Sequence, residues 1–135
     1  MALGLVVVDT DIVIDFLRGR GGGALLVAQL ISERRLRTAA ITAFELRLGT
    51  DFLKRRHDIM RLLRSRTLAF DTKAAMRAGA VHSVLKRSGE PIGYRDTLIA
   101  GTCLRFGLPL ATRNTAHFGR INGLDLEPLP DGSSS

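Results

Sequence analysis

The chain has 135 residues, 45% of them apolar and 24% charged, with 20 lysines and arginines against 13 acids and a formal net charge of +7. That length fits one domain of roughly 100–200 residues, and the composition excludes wholesale disorder. The single cysteine, Cys103, excludes an intrachain disulfide framework and a cysteine zinc cluster. No apolar run approaches the roughly 20 residues that a membrane-crossing helix needs.

Seventeen of the 20 cations are arginine, three lysine. Arginine binds phosphates and carboxylates through a planar, bidentate fork, so the excess points to a polyanion or an acidic partner, with plain solubility as the competing reading. No basic stretch precedes the first apolar run and no cleavage-type site follows it. A secreted precursor is therefore not expected, and a reducing cytoplasm is. Residues 1–127 are expected to form the domain, and 128–135, rich in proline, glycine and serine, a mobile tail.

In chain order, Leu5-Val6-Val7-Val8 is a short β-branched run that predicts a strand buried on both faces, the mark of a parallel sheet. Asp9 or Thr10 can cap a helix over 11–17. Arg18 to Gly23 predicts a glycine-rich turn, followed by a helix over 24–34. Arg37 to Ile41 reads as a second strand, and Thr42 as the start of a helix reaching toward Phe52. A basic amphipathic helix is expected over 55–65 and a third strand over 67–70. Asp71 should cap a helix over 72–87, which Ser88-Gly89-Glu90-Pro91 ends. A helix over 93–106 should stop at Gly107. A fourth strand is expected over 108–112, one helical turn over 114–118, and a last edge strand over 124–126. Strands alternating with helices predict an α/β fold: a central, mainly parallel sheet of four or five strands flanked by helices in three layers. In such sheets ligands bind beyond the carboxyl ends of the strands.

The residues just past those ends therefore matter most. Asp9 closes a buried strand, where a carboxylate is costly unless it is paired, binds a cation or caps the next helix. Thr42-Ala43-Phe44-Glu45 reads as a capping box. Its other reading turns Glu45 over the sheet edge toward Asp9. Asp96 shares a helix face with Ile99 and Ala100, so its carboxylate belongs on the buried side. Asn114 and His117 follow the fourth strand, where a turn amide and a surface imidazole are the ordinary alternatives. Separated acids converging on one edge suit a hard divalent cation such as Mg²⁺ or Mn²⁺, and hence phosphodiester hydrolysis.

Four stretches in this order carry a resemblance. They are Val8-Asp9-Thr10-Asp11-Ile12-Val13-Ile14-Asp15, Thr42-Ala43-Phe44-Glu45-Leu46, Arg95-Asp96-Thr97-Leu98-Ile99-Ala100, and Ala111-Thr112-Arg113-Asn114-Thr115-Ala116-His117-Phe118. Together they make the chain, from Leu5 to about Leu126, similar to the PIN-domain ribonucleases, and among them to the VapC toxins of toxin–antitoxin pairs. The resemblance implies a PIN-like fold, cleavage of RNA, and metal ligation by Asp9, Glu45 and Asp96, which are also the implied catalytic residues. The family's further acid near the fourth strand is replaced here by Asn114, or by His117. One firmly held ion is thus expected, with a second in doubt and Asn114 left to orient a water. Thr10, Thr112 and Arg113 stand by position to support the acids or to touch phosphate. The implied partners are an RNA substrate, a VapB-type antitoxin and a second copy of the chain, with no membrane.

On this reading Arg34, Arg35 and Arg37, and the run Lys54-Arg55-Arg56 with Arg61, Arg64 and Arg66, would draw RNA phosphates toward the acids. Aromatic residues are only 5%, which disfavours base stacking as the binding mode. Ile12, Val13, Phe16 and the helix from Ala24 to Ile31 are expected either in the core or at an oligomer or antitoxin contact. Two rivals stand beside the ribonuclease. A haloacid-dehalogenase-like phosphatase would use Asp9 of Asp9-Thr10-Asp11 as a covalent nucleophile. A catalytically weak PIN-like module would bind RNA or protein without cutting.

Overall fold

The computed structural model describes residues 3–130. The elements run β1 (Val6–Val8), α1 (Thr10–Arg18), α2 (Gly21–Ser32), β2 (Leu36–Ala39), α3 (Ala40–Leu48), α4 (Phe52–Leu63), β3 (Thr67–Leu68), α5 (Thr72–Arg87), α6 (Tyr94–Phe106), β4 (Leu110–Ala111) and α7 (Thr115–Phe118). The four strands form one parallel sheet in the order β3-β2-β1-β4. Val6 lies opposite Leu36, Val7 opposite both Arg37 and Leu110, and Val8 opposite Ala111.

Strand β1 is central, and all three of its valines are buried. Their alternation divides the core. Val6 and Val8 face one cluster with Ile12, Val13, Leu26, Val27, Leu30, Leu46, Ile59 and Leu62, drawn from α1 to α4. Val7 faces the other with Leu85, Ile99, Ala100, Cys103 and Phe118, drawn from α5 to α7. Three layers follow from the two-residue period of a strand whose faces are both apolar. Each fully buried valine, leucine or isoleucine contributes about 1.5–3 kcal/mol of burial free energy. Ile12, Val13, Leu26, Val27 and Leu30 are spent on this core, while Phe16 and Ile31 pack at its margin. No helix among the described residues is long and apolar enough to cross a membrane.

Several boundaries differ from the sequence expectation. The glycine-rich stretch is not a free turn: α2 begins at Gly21, capped by the backbone of Arg20. A Cβ at Gly23 would lie 2.8 Å from Asp15 Oδ2, so the bare backbone lets the first turn of α2 settle against α1. Helix α3 begins at Ala40, two residues before Thr42, so Thr42 and Glu45 form no capping box. Instead of a final edge strand there is one bridge, Leu126 alongside Leu110, with Leu110 N–H donating to Asp125 O and Glu127 N–H to Leu110 O. Leu129, placed by sequence in the tail, packs against the first core cluster. Residues 131–135 of that tail lie outside the described residues.

Two caps match the sequence. Asp71 accepts from Ala74 N–H at 2.8 Å to start α5, and this bond with neighbouring Arg105 holds its carboxyl below the usual range. Gly107, at φ +66°, ends α6 in the left-handed region that glycine enters without cost.

Candidate active site

The strand order reverses between β1 and β4, and such a switch point opens a crevice beyond the strand ends. Asp9 leaves β1 directly into it. It caps α1, with Oδ1 accepting from Thr10 N–H at 2.8 Å. It is only 3% exposed. Its other oxygen, Oδ2, accepts from the Thr112 hydroxyl just past β4, also at 2.8 Å. Both readings of Asp9 weighed from sequence thus hold in part: it caps a helix and it presents a paired carboxylate at the sheet edge.

Glu45 comes from one turn into α3. Because α3 starts earlier than expected, Thr42 is free of capping duty and lies buried beneath Glu45. The Thr10 hydroxyl sits between them, 3.0 Å from Thr42 Oγ1, and donates to Glu45 Oε1.

Asp96 comes from the first turn of α6. It is 8% exposed, on the face shared with the fully buried Ile99 and Ala100. Asn114 Nδ2 donates to its Oδ2 at 3.0 Å and lies 2.9 Å from His117 Nδ1. That imidazole nitrogen stands 3.3 Å from the same carboxylate oxygen.

The three acids, drawn from three separate elements, converge on one group that sequence reasoning did not single out. The Arg95 guanidinium donates from Nη2 to Asp9 Oδ1 at 2.7 Å, from Nη1 to Asp96 Oδ1 at 2.6 Å, and from Nε to Glu45 Oε2. One oxygen of each acid therefore faces this cation, and the other is tied to neutral donors of the frame: Thr112, Thr10 and Asn114. Partial burial opposes the charge on Arg95, but Glu45 and Asp9 outweigh it and raise its pKa above the usual arginine value. The one sequence sign was a cation in a helix's first turn, where the macrodipole disfavours it.

Arg113 does not join the three acids. It is ion-paired with Asp15 of α1, beside Gly23. Behind the site, burial together with the nearby Asp9 charge pushes the Cys103 thiol up to about 12, which keeps it neutral and unreactive at ordinary pH.

The inner face offers only carboxylate oxygens, the donor set of a hard divalent cation. As they stand these oxygens are turned to the Arg95 guanidinium, and among the described residues no three His, Cys, Asp or Glu side chains form a ready-made metal shell.

Residues 6–124 match the family model described as PIN domain. "VapC ribonuclease Y4jK" of Sinorhizobium fredii is 32% identical to the chain, covering 90% of it and 95% of that protein. The "tRNA(fMet)-specific endonuclease VapC" of Salmonella typhimurium is 39% identical over 64 residues, which is 47% of the chain and 48% of the relative. The chain thus spans about half the length of the first curated relatives it matches. Among solved structures, the DNA-bound VapBC of Salmonella typhimurium superposes with a TM-score of 0.78 at 26% identity, over 93% of this chain and 98% of that one. FitAcB of Neisseria gonorrhoeae gives 0.77 at 28%, over 92% and 98%.

Proposed function

The chain belongs to the PIN-domain family, and from that premise we propose that it is a divalent-metal-dependent endoribonuclease acting as the toxin of a VapBC-type toxin–antitoxin pair. The observation that carries the reading is the convergence of Asp9, Glu45 and Asp96, from three separate elements, on a single positive centre. Protein cores seldom gather three carboxylates without a function for them. The names of the relatives support the reading: two are called ribonuclease or tRNA endonuclease, a third is called Toxin FitB, and the solved structures include VapBC and FitAcB. The phosphatase alternative loses its basis with the family match.

In this proposal Asp9, Glu45 and Asp96 hold Mg²⁺ or Mn²⁺ through their inward oxygens. Such an ion, when bound, neutralises phosphate charge and activates water for hydrolysis of the phosphodiester. Thr112, Thr10 and Asn114 fix the outward oxygens, so each carboxylate keeps one rotamer with its inner oxygen turned to the site, that of Asp9 while also accepting the capping bond from Thr10 N–H. His117 stands where it can help orient Asp96. Three carboxylates carry −3, which suits one ion per chain. Asn114 donates to Asp96 where the family's further acid would have supplied charge for a second.

An RNA strand, a VapB-type antitoxin and a second copy of the chain are the proposed partners. Among the described residues Arg34, Lys54, Arg56 and Arg64 have side chains in no ion pair, whereas Arg35, Arg55 and Arg66 bond backbone carbonyls of their own fold. The former four are the better candidates for phosphate contacts.

The test is cleavage of RNA by the purified chain. We expect cleavage with Mn²⁺, its loss in chelator, and its loss in Asp96→Asn with RNA binding retained. Cleavage that persists in chelator and in that variant would refute the mechanism, and binding without any cleavage in the parent would favour the inert-module alternative.

A further inference from the structure

We infer that Arg95 is a built-in counter-ion of the carboxylate trio, which a divalent cation must displace before the site can act. The inference rests on the metal reading above and adds to it a competitor supplied by the chain itself.

The geometry is competitive. Arg95 engages Asp9 Oδ1, Asp96 Oδ1 and Glu45 Oε2, one oxygen from each acid, and these are the inward ones. The outward oxygens accept from Thr112, Thr10 and Asn114 and are not available to either cation without breaking the frame. A guanidinium and a metal ion therefore contend for the same three oxygens, which draw together around the ion once the guanidinium has left. The trio carries −3 and Arg95 +1, so the filled site still attracts positive charge. A divalent ion matches that charge better than a monovalent fork does.

Release also costs little elsewhere. Arg95 adjoins Asp96 in the first turn of α6, so leaving needs only side-chain rotation, with no change of backbone. Its side chain is 35% exposed, which gives the guanidinium a path straight to water. At a helix N-terminus a cation is disfavoured by the macrodipole. Only the three acids hold it there, and a metal that takes them removes the hold.

Two consequences follow. Metal affinity is set below what three bare carboxylates would give, because the competent state is populated only when the guanidinium is out. If Arg95 is in place about nine-tenths of the time, apparent affinity is reduced about tenfold. The trio is also never left as three facing negative charges, whichever cation is present.

The experiment uses the full chain and Mn²⁺ alone, with free Mn²⁺ read by electron paramagnetic resonance and no RNA present. Arg95→Ala and Arg95→Gln should each bind Mn²⁺ about tenfold more tightly than the parent. In the parent, the assigned Arg95 Nε–H nuclear magnetic resonance signal should exchange slowly with water and become fast-exchanging on saturation with Mg²⁺. This second measurement needs no folded variant. Unchanged Mn²⁺ affinity in both variants, with the parent binding, would overturn the inference and leave the metal reading standing. Tighter binding with an unperturbed Nε–H signal would also overturn it, since a general field effect would then explain the gain. If neither parent nor variants bind Mn²⁺, the metal reading fails and this inference with it.

Discussion

Thr112 donates to Asp9 Oδ2 at 2.8 Å inside a site where Asp9 is almost wholly enclosed. Replacing Thr112 by valine keeps its volume but strands that oxygen, and losing an orienting partner of a metal ligand typically lowers metal affinity or activity by about 10–100-fold. Thr112→Val is therefore expected to weaken Mn²⁺ binding and cleavage by about that range, with the fold retained by circular dichroism. Wild-type affinity in this variant would remove the bracing role. At this scale Asp9 and Asp96 were legible as candidates because each carries a local anomaly: Asp9 ends a buried strand and Asp96 sits on an apolar helix face, whereas Glu45 carried the letters of a capping box. Arg95 was not readable. Neighbours one residue apart on a helix do not normally face each other, and only the folded chain shows that the long arginine side chain reaches back to Asp96 and onward to Asp9, 86 positions away in sequence. The Asp15–Arg113 pair, 98 positions apart, was hidden for the same reason.

Helix α6 carries Asp96 and so must be held against α5 with little freedom. Gly101 is what permits this: a Cβ there would come 2.6 Å from Ala78 Cβ and 2.7 Å from the Ala74 carbonyl oxygen. Gly101→Ala forces the two helices apart, and overpacking of this kind costs typically about 1–3 kcal/mol, more than alanine's better helix propensity of about 1 kcal/mol returns. Chemical denaturation of this variant should show a net loss of stability. A gain would mean that the helices part without penalty. Most elements were legible because their signals are local: the valine run for β1, Asp71 and Gly107 for the ends of α5 and α6. The failures were equally physical. Three glycines in a row read as a turn, yet tertiary contact with α1 makes them the start of α2. Thr42-x-x-Glu45 has the letters of a capping box, yet Ala39 already serves as the cap, and both side chains turn to the site instead.

For the whole molecule, the +7 charge resolves into an acidic crevice set in an arginine-rich surface. If Arg56 and Arg64 contact RNA phosphates, each contact should steepen the dependence of log affinity on log salt by about 0.7 for single-stranded RNA. Replacing both by glutamine should lower affinity at low salt and flatten that slope by about 1.4, measured with Asp96→Asn protein so that the RNA stays intact. An unchanged slope would assign these arginines to solubility alone. A different consequence lies in the margins of the sheet. Strand β3 is two residues long, and the outer side of β4 is already bonded by the segment around Leu126. Little unpaired backbone is left on either flank for another polypeptide to extend. Among the described residues, a growing ribbon of strands, the usual hazard of an open sheet, therefore finds only two residues of β3 on which to begin.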